Sequence, residues 1–468
     1  MFGTARKTLR RIAIPAIVAV LVAGLDVACA PVSSGAVGSD PRPNVLIFLT
    51  DDQPDRGTMK VLPFVRRWFG RQGRIFKEAL DTTPLCCPSR ACLFTGQYAH
   101  NHGVVDNTHA GMDRFDQHSS IVRYLQEAGY RTGFAGKLFN FWHVEDDPLY
   151  FDRWSVYHPT NVSNGYFDMR WNLNGRLKRV HTYSTDFIAE QGVKFIRSSE
   201  DNDEKPWFLE LSTYAPHLGP GPEPRYADAP VGSFPTTPAM TERDRSDKPP
   251  FVQAQHATVE DGRKAREGQL RMLMSVDDLV TKVAATLRQT EETRDTLAIF
   301  VSDNGYLWSE HGVTAKGTPY SAGVHVPMLA RWPGHIEGGT VDGRIVAIID
   351  IAPTILDAAG IEPDADEPMD GRSLLDRTWT RPRLLLEYWR WRGSTAPPWA
   401  SIWSRHYQYT EYFDDAGEIT FREYYDLDHD RWQLVNLLHD GVPGNDPDVG
   451  PLHDRLSADR SCVGGACP

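Results

Sequence analysis

The chain has 468 residues, of which 41% are hydrophobic, 11% aromatic and 24% charged. This ordinary globular composition argues against a collagen-like repeat, a disordered chain and a polytopic membrane protein. Acidic residues outnumber basic ones by 62 to 50, and the resulting formal charge of −12 argues against a nucleic-acid binder. The length fits either three domains of about 150 residues or one large α/β domain with a smaller one.

The first part of the chain is predicted to be an export signal. Basic residues precede the apolar run Ile12–Leu25, and small residues follow it. The run is shorter than the roughly 20 residues of a membrane span. We therefore assign residues 1–30 to a signal peptide, with two outcomes left open: simple cleavage near Ala30, or a lipid anchor on Cys29. Residues 31–41 contain Ser and Gly and are predicted to form a flexible tether.

Three short apolar runs predict strands that are buried on both faces: Asn44–Thr50, Trp207–Ser212 and Thr296–Ser302. Helical patterns alternate with them, at residues 120–128, 183–197, 267–289 and 351–359. This alternation predicts an α/β fold with a large mixed, mainly parallel sheet flanked by helices. In such sheets, ligands bind beyond the carboxyl ends of the strands.

The composition changes near residue 375, and this divides the predicted catalytic domain (42–375) from a smaller C-terminal α+β subdomain (376–468). Tyr407–Tyr412 and Ile419–Tyr425 alternate like half-exposed strands around a turn, which predicts an antiparallel hairpin. Cys462 and Cys467 are close in sequence, and in an exported protein we expect a small disulfide loop between them. The Pro-rich stretch 216–250 is predicted to be a long surface excursion.

The segment Pro84–Gly96 carries the strongest motif in the chain. It reads PLCCPSRACLFTG and resembles the signature of the formylglycine-dependent sulfatases, within the alkaline-phosphatase-like superfamily. The family motif is Cys-x-Pro-Ser-Arg followed by an apolar pair, Thr and Gly. By that resemblance Cys86, and not Cys87, is the cysteine that a formylglycine-generating enzyme would oxidise. A buried free cysteine is the structural alternative, but it does not explain so long a match.

Two acidic pairs follow predicted strands, Asp51-Asp52 and Asp303-Asn304. An isolated pair of this kind is usually solvated or caps a helix. Together they offer only oxygen ligands, which suit Ca²⁺ or Mg²⁺ better than zinc. They match the sulfatase metal site, to which modified Cys86 adds a further oxygen. The resemblance implies Ca²⁺ ahead of Mg²⁺.

The resemblance also assigns the cationic residues of the site. Arg90 belongs to the motif, and the settings of Lys137, His217 and Lys316 resemble those of the family's sulfate-binding lysines and leaving-group histidine. An acidic protein needs such a local cluster of cations to bind an anionic ester. The implied reaction begins with attack on sulfur by one hydroxyl of the formylglycine hydrate while Lys137 and Lys316 neutralise the growing charge. His217 protonates the departing alcohol, and the second hydroxyl expels sulfate as the aldehyde reforms.

Two positions depart from the family pattern. Many arylsulfatases have a histidine two residues after the lysine that Lys137 matches, where this chain has Phe139. Asn140 is a candidate substrate-binding replacement, and His143 would need a loop to bring it into the site. His325 stands where relatives often have arginine, and we expect a structural role for it.

Further matching stretches extend over most of the mature chain, and the Cys86-Cys87 doublet with the run Thr95–His102 is most like the N-acetylglucosamine-6-sulfatase and heparan endosulfatase branch. That branch implies a sulfated sugar, such as a 6-O-sulfated glucosamine of a glycosaminoglycan, as substrate. Two alternatives stay open. One is a phosphonate or phosphodiester hydrolase of the same superfamily, and the other is a non-catalytic glycan-binding lipoprotein in which Cys86 stays a thiol.

Overall fold

The computed structural model describes residues 40–158, 166–201, 205–219 and 221–468. The predicted signal peptide, Cys29 and the tether up to residue 39 lie outside these residues. Asp40, at the beginning of the described part, accepts a hydrogen bond from Arg42 Nε at 2.9 Å. Within the described ranges, no helix has both the length and the apolar character needed to cross a bilayer.

The described strands fall into two sheets, and helices lie between most of them. The strands are β1 Asn44–Thr50, β2 Arg74–Leu80, β3 Arg131–Lys137, β4 Arg153–Tyr157, β5 Met169–Leu173, β6 Arg176–Val180, β7 Trp207–Ser212, β8 Thr296–Ser302, β9 Met328–Arg331, β10 Thr340–Ala347, β11 Leu384–Tyr388, β12 Trp399–Trp403, β13 Tyr407–Phe413 and β14 Ile419–Asp426. The helices are α1 Pro63–Gln72, α2 Cys86–Thr95, α3 Ala99–His102, α4 His109–Met112, α5 Ile121–Glu127, α6 Ser184–Glu200, α7 Pro250–Gln253, α8 Val259–Gln289, α9 Ser321–Val324, α10 Ile351–Ala359 and α11 Gly450–Asp459.

The larger sheet contains ten described strands in the order β10-β2-β9-β8-β1-β7-β3-β4-β5-β6. Its centre, from β8 to β4, is parallel throughout, whereas β9, β5 and β6 pair antiparallel with their neighbours. The fold class predicted from the sequence, a mixed and mainly parallel sheet with a smaller antiparallel one, is therefore confirmed.

Hydrophobic cores cover both faces of the larger sheet. In β1, Val45, Ile47 and Leu49 pack on the side of α2, α5 and α10, while Leu46 and Phe48 pack on the side of α1, α6 and α8. Because successive strand residues point to opposite faces, a strand covered on both sides must be apolar throughout. This explains why β1, β7 and β8 begin and end at the residues predicted from their apolar runs.

The smaller sheet is antiparallel in the order β11-β12-β13-β14. It includes the predicted hairpin, in which Tyr407 pairs with Asp426 and Tyr412 with Phe421. The predicted disulfide between Cys462 and Cys467 is also present. Residues of this sheet and of the larger one share one hydrophobic core, and the division of the chain at residue 375 stays a prediction.

Two predictions about the middle of the chain were incomplete. The helix predicted from residue 267 begins earlier, at Val259, because Thr258 and Asp261 form a capping box: Asp261 N donates to Thr258 Oγ1 at 3.2 Å and Thr258 N donates to an Asp261 carboxylate oxygen at 2.9 Å. The described part of the 216–250 stretch contains no α-helix or β-strand before α7 begins at its last residue, Pro250, but the stretch is not all surface. Lys248 is fully buried and its ammonium contacts Asp247 at 2.9 Å.

Gly136 lets β3 approach β7 at the edge where the acidic pairs lie. Its φ of +132° falls in a region that side chains disfavour, and a Cβ at this position would lie 1.8 Å from the carbonyl oxygen of Ser212, its partner in the parallel pair. The next residue is Lys137, so the same approach sets the position of that side chain.

We predict that Gly136→Ala lowers the free energy of unfolding by about 3 kcal/mol or more, because backbone strain and overpacking add. Gly129→Ala is the matched control, since Gly129 also has a positive φ of +91° but no atom lies within 4 Å of an added Cβ. The control should lose only the backbone cost of about 1–2 kcal/mol. Urea denaturation measures both changes, and equal losses would show that the close approach to Ser212 is not required.

Candidate active site

The register of the central strands brings the two acidic pairs together. β1 and β8 are parallel, and Thr50 pairs with Ser302, so the residues that follow each strand are neighbours. Asp303 N donates to the carbonyl of Thr50 at 3.0 Å, and Asp52 N donates to Asp303 Oδ1 at 3.1 Å. All four predicted metal-ligating side chains of these pairs are buried at this edge of the sheet.

Cys86 is the first residue of α2, whose ten residues are all buried, and it lies directly against these acidic groups. Its Sγ lies 3.4 Å from Asp51 Oδ1 and 2.8 Å from Lys316 Nζ. The cysteine thus faces the centre of the cluster, as the motif predicted. Burial, followed by the charge of Asp51, raises the pKa of the Cys86 thiol to about 11.

Arg90, one turn further along α2, lies between the two strand ends. Its Nε donates to Asp303 Oδ2 at 2.8 Å, and its Nη2 is 3.5 Å from Asp51 Oδ2. Nη1 donates to the carbonyl of Lys137 at 2.5 Å and to Ser212 Oγ at 2.7 Å. The guanidinium is fully buried and joins β1, β8, β3 and β7 at their carboxyl ends.

Two lysines bring further positive charge to the same place. The Lys137 ammonium contacts Asp51, and the Lys316 ammonium contacts Asp52 and lies 3.5 Å from Asn304 Oδ1. Burial would lower the pKa of each lysine, but the charge of its aspartate partner outweighs this and raises it. Both lysines are therefore held in the charged state.

The two central aspartates have opposite pKa shifts. Burial would raise the pKa of the Asp51 carboxyl, but the surrounding cations, Lys137 first among them, hold that pKa well below its usual range. For Asp303, burial and the adjacent charge of Asp51 raise the pKa, and Arg90 opposes the rise. The pair therefore carries a concentrated negative charge whose main compensation comes from neighbouring cations.

His217 closes the cluster on the other side of Asp52, with 3.6 Å between its Nε2 and Asp52 Oδ2. Its Nδ1 lies 2.8 Å from the carbonyl of Leu218, which can only accept, so Nδ1 carries a proton and Nε2 faces the site. Burial lowers the pKa of His217, although Asp52 and Asp51 oppose this. The ring of Tyr214 stacks on His217 at 4.5 Å and lies 5.3 Å from Lys137 Nζ.

The donor set fits a hard divalent cation. Ligand atoms of Asp51, Cys86 and Asp303 lie within 4.8 Å of one another, and so do those of Asp51, Asp52 and His217. The Lys316 ammonium lies among the oxygens of Asp52 and Asn304, which demonstrates that this space accepts positive charge. Carboxylate and amide oxygens are the ligands that Ca²⁺ and Mg²⁺ prefer.

Phe139, the first departure from the family pattern, and Asn140, its candidate replacement, have different surroundings. Phe139 is buried and packs on Phe94 and Phe115, with ring centroids 6.1 and 4.7 Å apart. Asn140 lies beside the motif, because its carbonyl is 3.6 Å from Cys87 Sγ, and its buried Oδ1 has no hydrogen-bond partner within the described residues.

His143, which the sequence left open, and His325, for which we expect a structural role, lie in other settings. His143 is exposed and stacks on His109 at 4.9 Å. His325 contacts Glu78 at 3.4 Å and the ring of Trp403. The structure therefore brings Asn140 to the cluster, whereas the described contacts of His143 lie with His109.

Four polar residues beside the cluster escaped the sequence prediction. Ser212 Oγ accepts a hydrogen bond from Arg90 Nη1. Asn107 Oδ1 accepts one from the amide of Cys87 at 2.8 Å. Tyr214 lies three residues before His217, and this proximity was the one sequence feature that pointed to it. His158 follows β4 at the same sheet edge, and burial, with the nearby Lys137 charge, lowers its pKa to about 4. No motif marks Ser212, Asn107 or His158.

A cavity of about 260 Å³ opens onto this cluster, and Asp52, His217 and Lys316 line it. One wall comes from the segment between β11 and β12, where Trp391 Nε1 donates to Tyr388 Oη at 3.0 Å and that hydroxyl donates to Ser394 Oγ at 2.9 Å. Among described residues, the rest of the lining is uncharged and includes aromatic side chains. The cavity thus joins a strongly charged floor to uncharged walls.

The Sulfatase family model matches residues 43–361, and the model described as N-sulphoglucosamine sulphohydrolase, C-terminal, matches residues 309–459. The first match covers more than half of the chain, so the chain belongs to the sulfatase family. The family predicted from the motif is confirmed, and with it the prediction that the chain is an enzyme.

Two curated relatives define the similarity further. Human N-acetylglucosamine-6-sulfatase is 30% identical over a match that covers 92% of this chain and 87% of the human protein. The Drosophila melanogaster protein named extracellular sulfatase SULF-1 homolog is 32% identical over 74% of this chain. That match spans only 32% of the fly protein, so this chain covers about a third of that relative.

Solved structures share the fold at lower identity. A structure of a protein in complex with its substrate D-glucosamine-2-N,6-O-disulfate superposes with a TM-score of 0.76 at 21% identity, covering 89% of this chain and 96% of the other. A phosphonate monoester hydrolase from Silicibacter pomeroyi superposes with a TM-score of 0.67, also at 21% identity, covering 89% and 94%. At these identities the likeness concerns the fold alone.

Proposed function

We propose that this protein hydrolyses the sulfate monoester of a sugar, with a 6-O-sulfated glucosamine as the substrate class. The observation that carries the proposal is the convergence on Cys86 of the Asp51 carboxylate, the Lys316 ammonium and the start of α2. The similarity to human N-acetylglucosamine-6-sulfatase supports the choice of sugar. The uncharged, aromatic walls of the cavity suit a sugar ring that carries its charge at one end.

The proposed nucleophile derives from Cys86. A thiol with a pKa of about 11 stays neutral near pH 7 and is a poor nucleophile, so the unmodified side chain does not suit the reaction. Conversion to formylglycine would supply a hydrated aldehyde with a hydroxyl in its place. Because Cys86 is fully buried, a formylglycine-generating enzyme would have to reach it before the chain folds.

The proposed metal ligands are Asp51, Asp52, Asp303 and Asn304, completed by the modified residue 86. When bound, Ca²⁺ would polarise the sulfate oxygens and increase the acidity of the attacking hydroxyl. Arg90 keeps the Asp51 and Asp303 carboxylates in place, and its Nη2, which has no hydrogen-bond partner within the described residues, is free to hold the group at residue 86.

The cationic side chains bind the anionic end of the substrate. Lys137 and Lys316 are held charged in a buried setting, where they stabilise negative charge on the sulfate oxygens more strongly than in water. The Leu218 carbonyl keeps the proton of His217 Nδ1 in place, so Nε2, which faces Asp52, is the atom that would carry the proton given to the departing alcohol when the ring is charged. The unpartnered Oδ1 of Asn140 supports a substrate contact in place of the missing family histidine.

We also propose that the protein is exported, either secreted or held in the cell envelope by a lipid on Cys29. The apolar run of residues 1–30 supports this, and so does the disulfide between Cys462 and Cys467, because disulfides persist in oxidising compartments. Intact-mass analysis of the protein from its native host would distinguish simple cleavage from lipid attachment.

The first test separates the two adjacent cysteines. Cys86→Ala should contain no aldehyde and lose turnover by about 1000-fold or more, since the nucleophile is absent. Cys87→Ala is the matched control, because it keeps the Cys-x-Pro-Ser-Arg spacing and should retain both the aldehyde and most activity. Peptide mass analysis with an aldehyde-reactive probe measures conversion. A fully active native-host enzyme with a thiol at residue 86 would contradict the mechanism.

The second test compares substrates. Glucosamine 6-sulfate saccharides should be hydrolysed with a kcat/KM at least about 100-fold higher than that of phosphonate monoesters or phosphodiesters of similar size. The shared fold of the Silicibacter pomeroyi hydrolase makes this comparison necessary. Preference for the phosphorus esters would favour the alternative hydrolase. Saccharide binding without turnover, in protein whose residue 86 is a thiol, would favour the non-catalytic alternative.

The third test concerns the metal. Chelator-treated protein should be stabilised by about 2.7 kcal/mol when Ca²⁺ is present at 100 times its Kd, and less by Mg²⁺ at the same concentration. Asp52→Asn should weaken this stabilisation, whereas Asp415→Asn, on a carboxylate with 83% of its side chain exposed, should not. Thermal unfolding measures the effect without activity, and a Ca²⁺ response that Asp52→Asn leaves intact would remove Asp52 from the site.

A further inference from the structure

One face of α1 carries a cluster of exposed arginines. Pro63, Arg66, Arg67, Gly70 and Arg71 have the i, i+3, i+4, i+7, i+8 spacing of a single helix face. The other side of the helix is anchored in the core by Val65 and Phe69. The three arginines, Arg66, Arg67 and Arg71, which we call the α1 arginines, therefore project from a rigid helix that is about 15 Å long.

The α1 arginines lack acidic partners. Within the part of the chain that the structure describes, Arg66, Arg67 and Arg71 form no ion pair and no side-chain hydrogen bond. Other exposed arginines of the described chain also lack such partners, Arg176 among them, but the α1 arginines are three such groups on one helix face. The neighbouring Asp277 uses its carboxylate on the amides of Phe64 and Val65, at 3.1 and 2.9 Å.

The α1 arginines line a cleft of about 560 Å³. Its apolar side chains come from β2 and β9 and from the residues next to them, among them Ile75 and Leu329, and Asp55 is its one acidic lining residue in the described chain. At Gly70 an added Cβ would meet only Ile75 Cδ1, at 3.8 Å, so packing does not require glycine there. The glycine instead leaves space between the arginines.

A second cation without an acidic partner lies on β9. Arg331 is buried, and its Nε and Nη1 have no hydrogen-bond partner among the described residues. Its guanidinium packs over the Trp68 ring at 4.3 Å, and only Gln72 Oε1 accepts from it, at 2.7 Å. The acidic groups near these arginines include Asp277, on which the charge of Arg67 acts, and Asp55 of the cleft, and neither forms a salt bridge with them in the described chain.

The cleft is connected to the active site through the segment that follows β1. Asp52 lines the cavity over the catalytic cluster, Pro54 and Asp55 line a neighbouring cavity of about 380 Å³, and Asp55 and Met59 line the cleft beside the α1 arginines. The active site and the cleft thus lie at the two ends of the segment 52–59.

We propose that the cleft beside the α1 arginines binds a sulfated polysaccharide at sulfate groups other than the one that is cleaved. This rests on the proposed function, because the occupant is the polymeric form of its substrate. Guanidinium groups bind the oxygens of tetrahedral anions through paired hydrogen bonds, and the apolar floor suits the faces of sugar rings. The concave shape favours a polysaccharide chain over the flat surface of an anionic membrane.

The test measures binding and turnover separately. In the triple variant Arg66→Gln, Arg67→Gln, Arg71→Gln, the Kd for a size-defined heparin oligosaccharide should rise about tenfold or more. The slope of log Kd against log salt concentration should also decrease, by an amount that corresponds to roughly two to three fewer ions released on binding. The KM for the polysaccharide should rise similarly, while kcat/KM for glucosamine 6-sulfate stays within about twofold of the unmodified enzyme.

A second triple variant removes the same charge elsewhere. Arg176→Gln, Lys178→Gln and Lys194→Gln alter exposed side chains on β6 and α6 and should leave heparin affinity within about twofold of the unmodified protein. Equal losses in both variants would overturn the proposal, as would unchanged binding in the α1 variant. If the α1 variant lost binding to phosphatidylglycerol vesicles but kept its affinity for heparin, the cleft would be assigned to a membrane instead. Because binding needs no turnover, it is measured even if the proposed hydrolysis fails.

Discussion

The site depends on a concentration of negative charge that the sheet itself creates. β1 and β8 are parallel and in register, so Asp51 and Asp303 follow them side by side in a place without solvent. Two buried carboxylates at this separation repel strongly, and removing a cation that compensates them would leave an unpaired buried charge. Arg90 supplies a compensating charge to both carboxylates, because it contacts Asp51 at 3.5 Å and Asp303 at 2.8 Å.

The same requirement explains why the cluster is held by separate parts of the chain. Lys137 comes from the end of β3, Arg90 from α2 and Lys316 from the long loop after β8, and each contacts a different carboxylate or combination of carboxylates. Their charges also suit an anionic ester, so the groups that compensate the carboxylates have the charge that a sulfate ester requires. A divalent cation among the carboxylates would release the lysine ammoniums toward the substrate.

Much of this arrangement was predictable from the sequence, for physical reasons that differ between elements. β1, β7 and β8 were located to the residue because burial on both faces demands continuous apolar runs. β5 and β6 were missed because they lie at one edge of the sheet, where the segment Arg176–Val180 is largely exposed and polar. The candidate site residues came from the motif and the resemblance it carries; the structure places Arg90 in contact with Asp51 and Asp303, and the roles of these residues stay a prediction.

What escaped prediction depends on contacts between distant parts of the chain. Asn107 binds the amide of Cys87 and Ser212 binds Arg90, yet neither residue lies in a recognisable pattern. Phe139 illustrates the reverse case. Its place in the sequence suggested a lost catalytic residue, but its side chain packs in an aromatic cluster with Phe94 and Phe115, so the change at this position contributes to the core. The neighbouring Asn140 lies beside the motif, with its carbonyl 3.6 Å from Cys87 Sγ.

The distribution of charge explains how an acidic protein can act on an acidic substrate. With a Debye length of about 8 Å at physiological ionic strength, the net charge of the whole molecule acts weakly on a distant anion, whereas nearby cations act strongly. Lys137 is buried and the Lys316 side chain is only 15% exposed, so salt screens both less than it screens fully exposed charges. The α1 arginines are exposed, so their attraction for an anion weakens with salt, as suits reversible contact along a chain. This difference in exposure fits the two proposed roles, which are chemistry at one sulfate for the lysines and retention of the polymer for the α1 arginines.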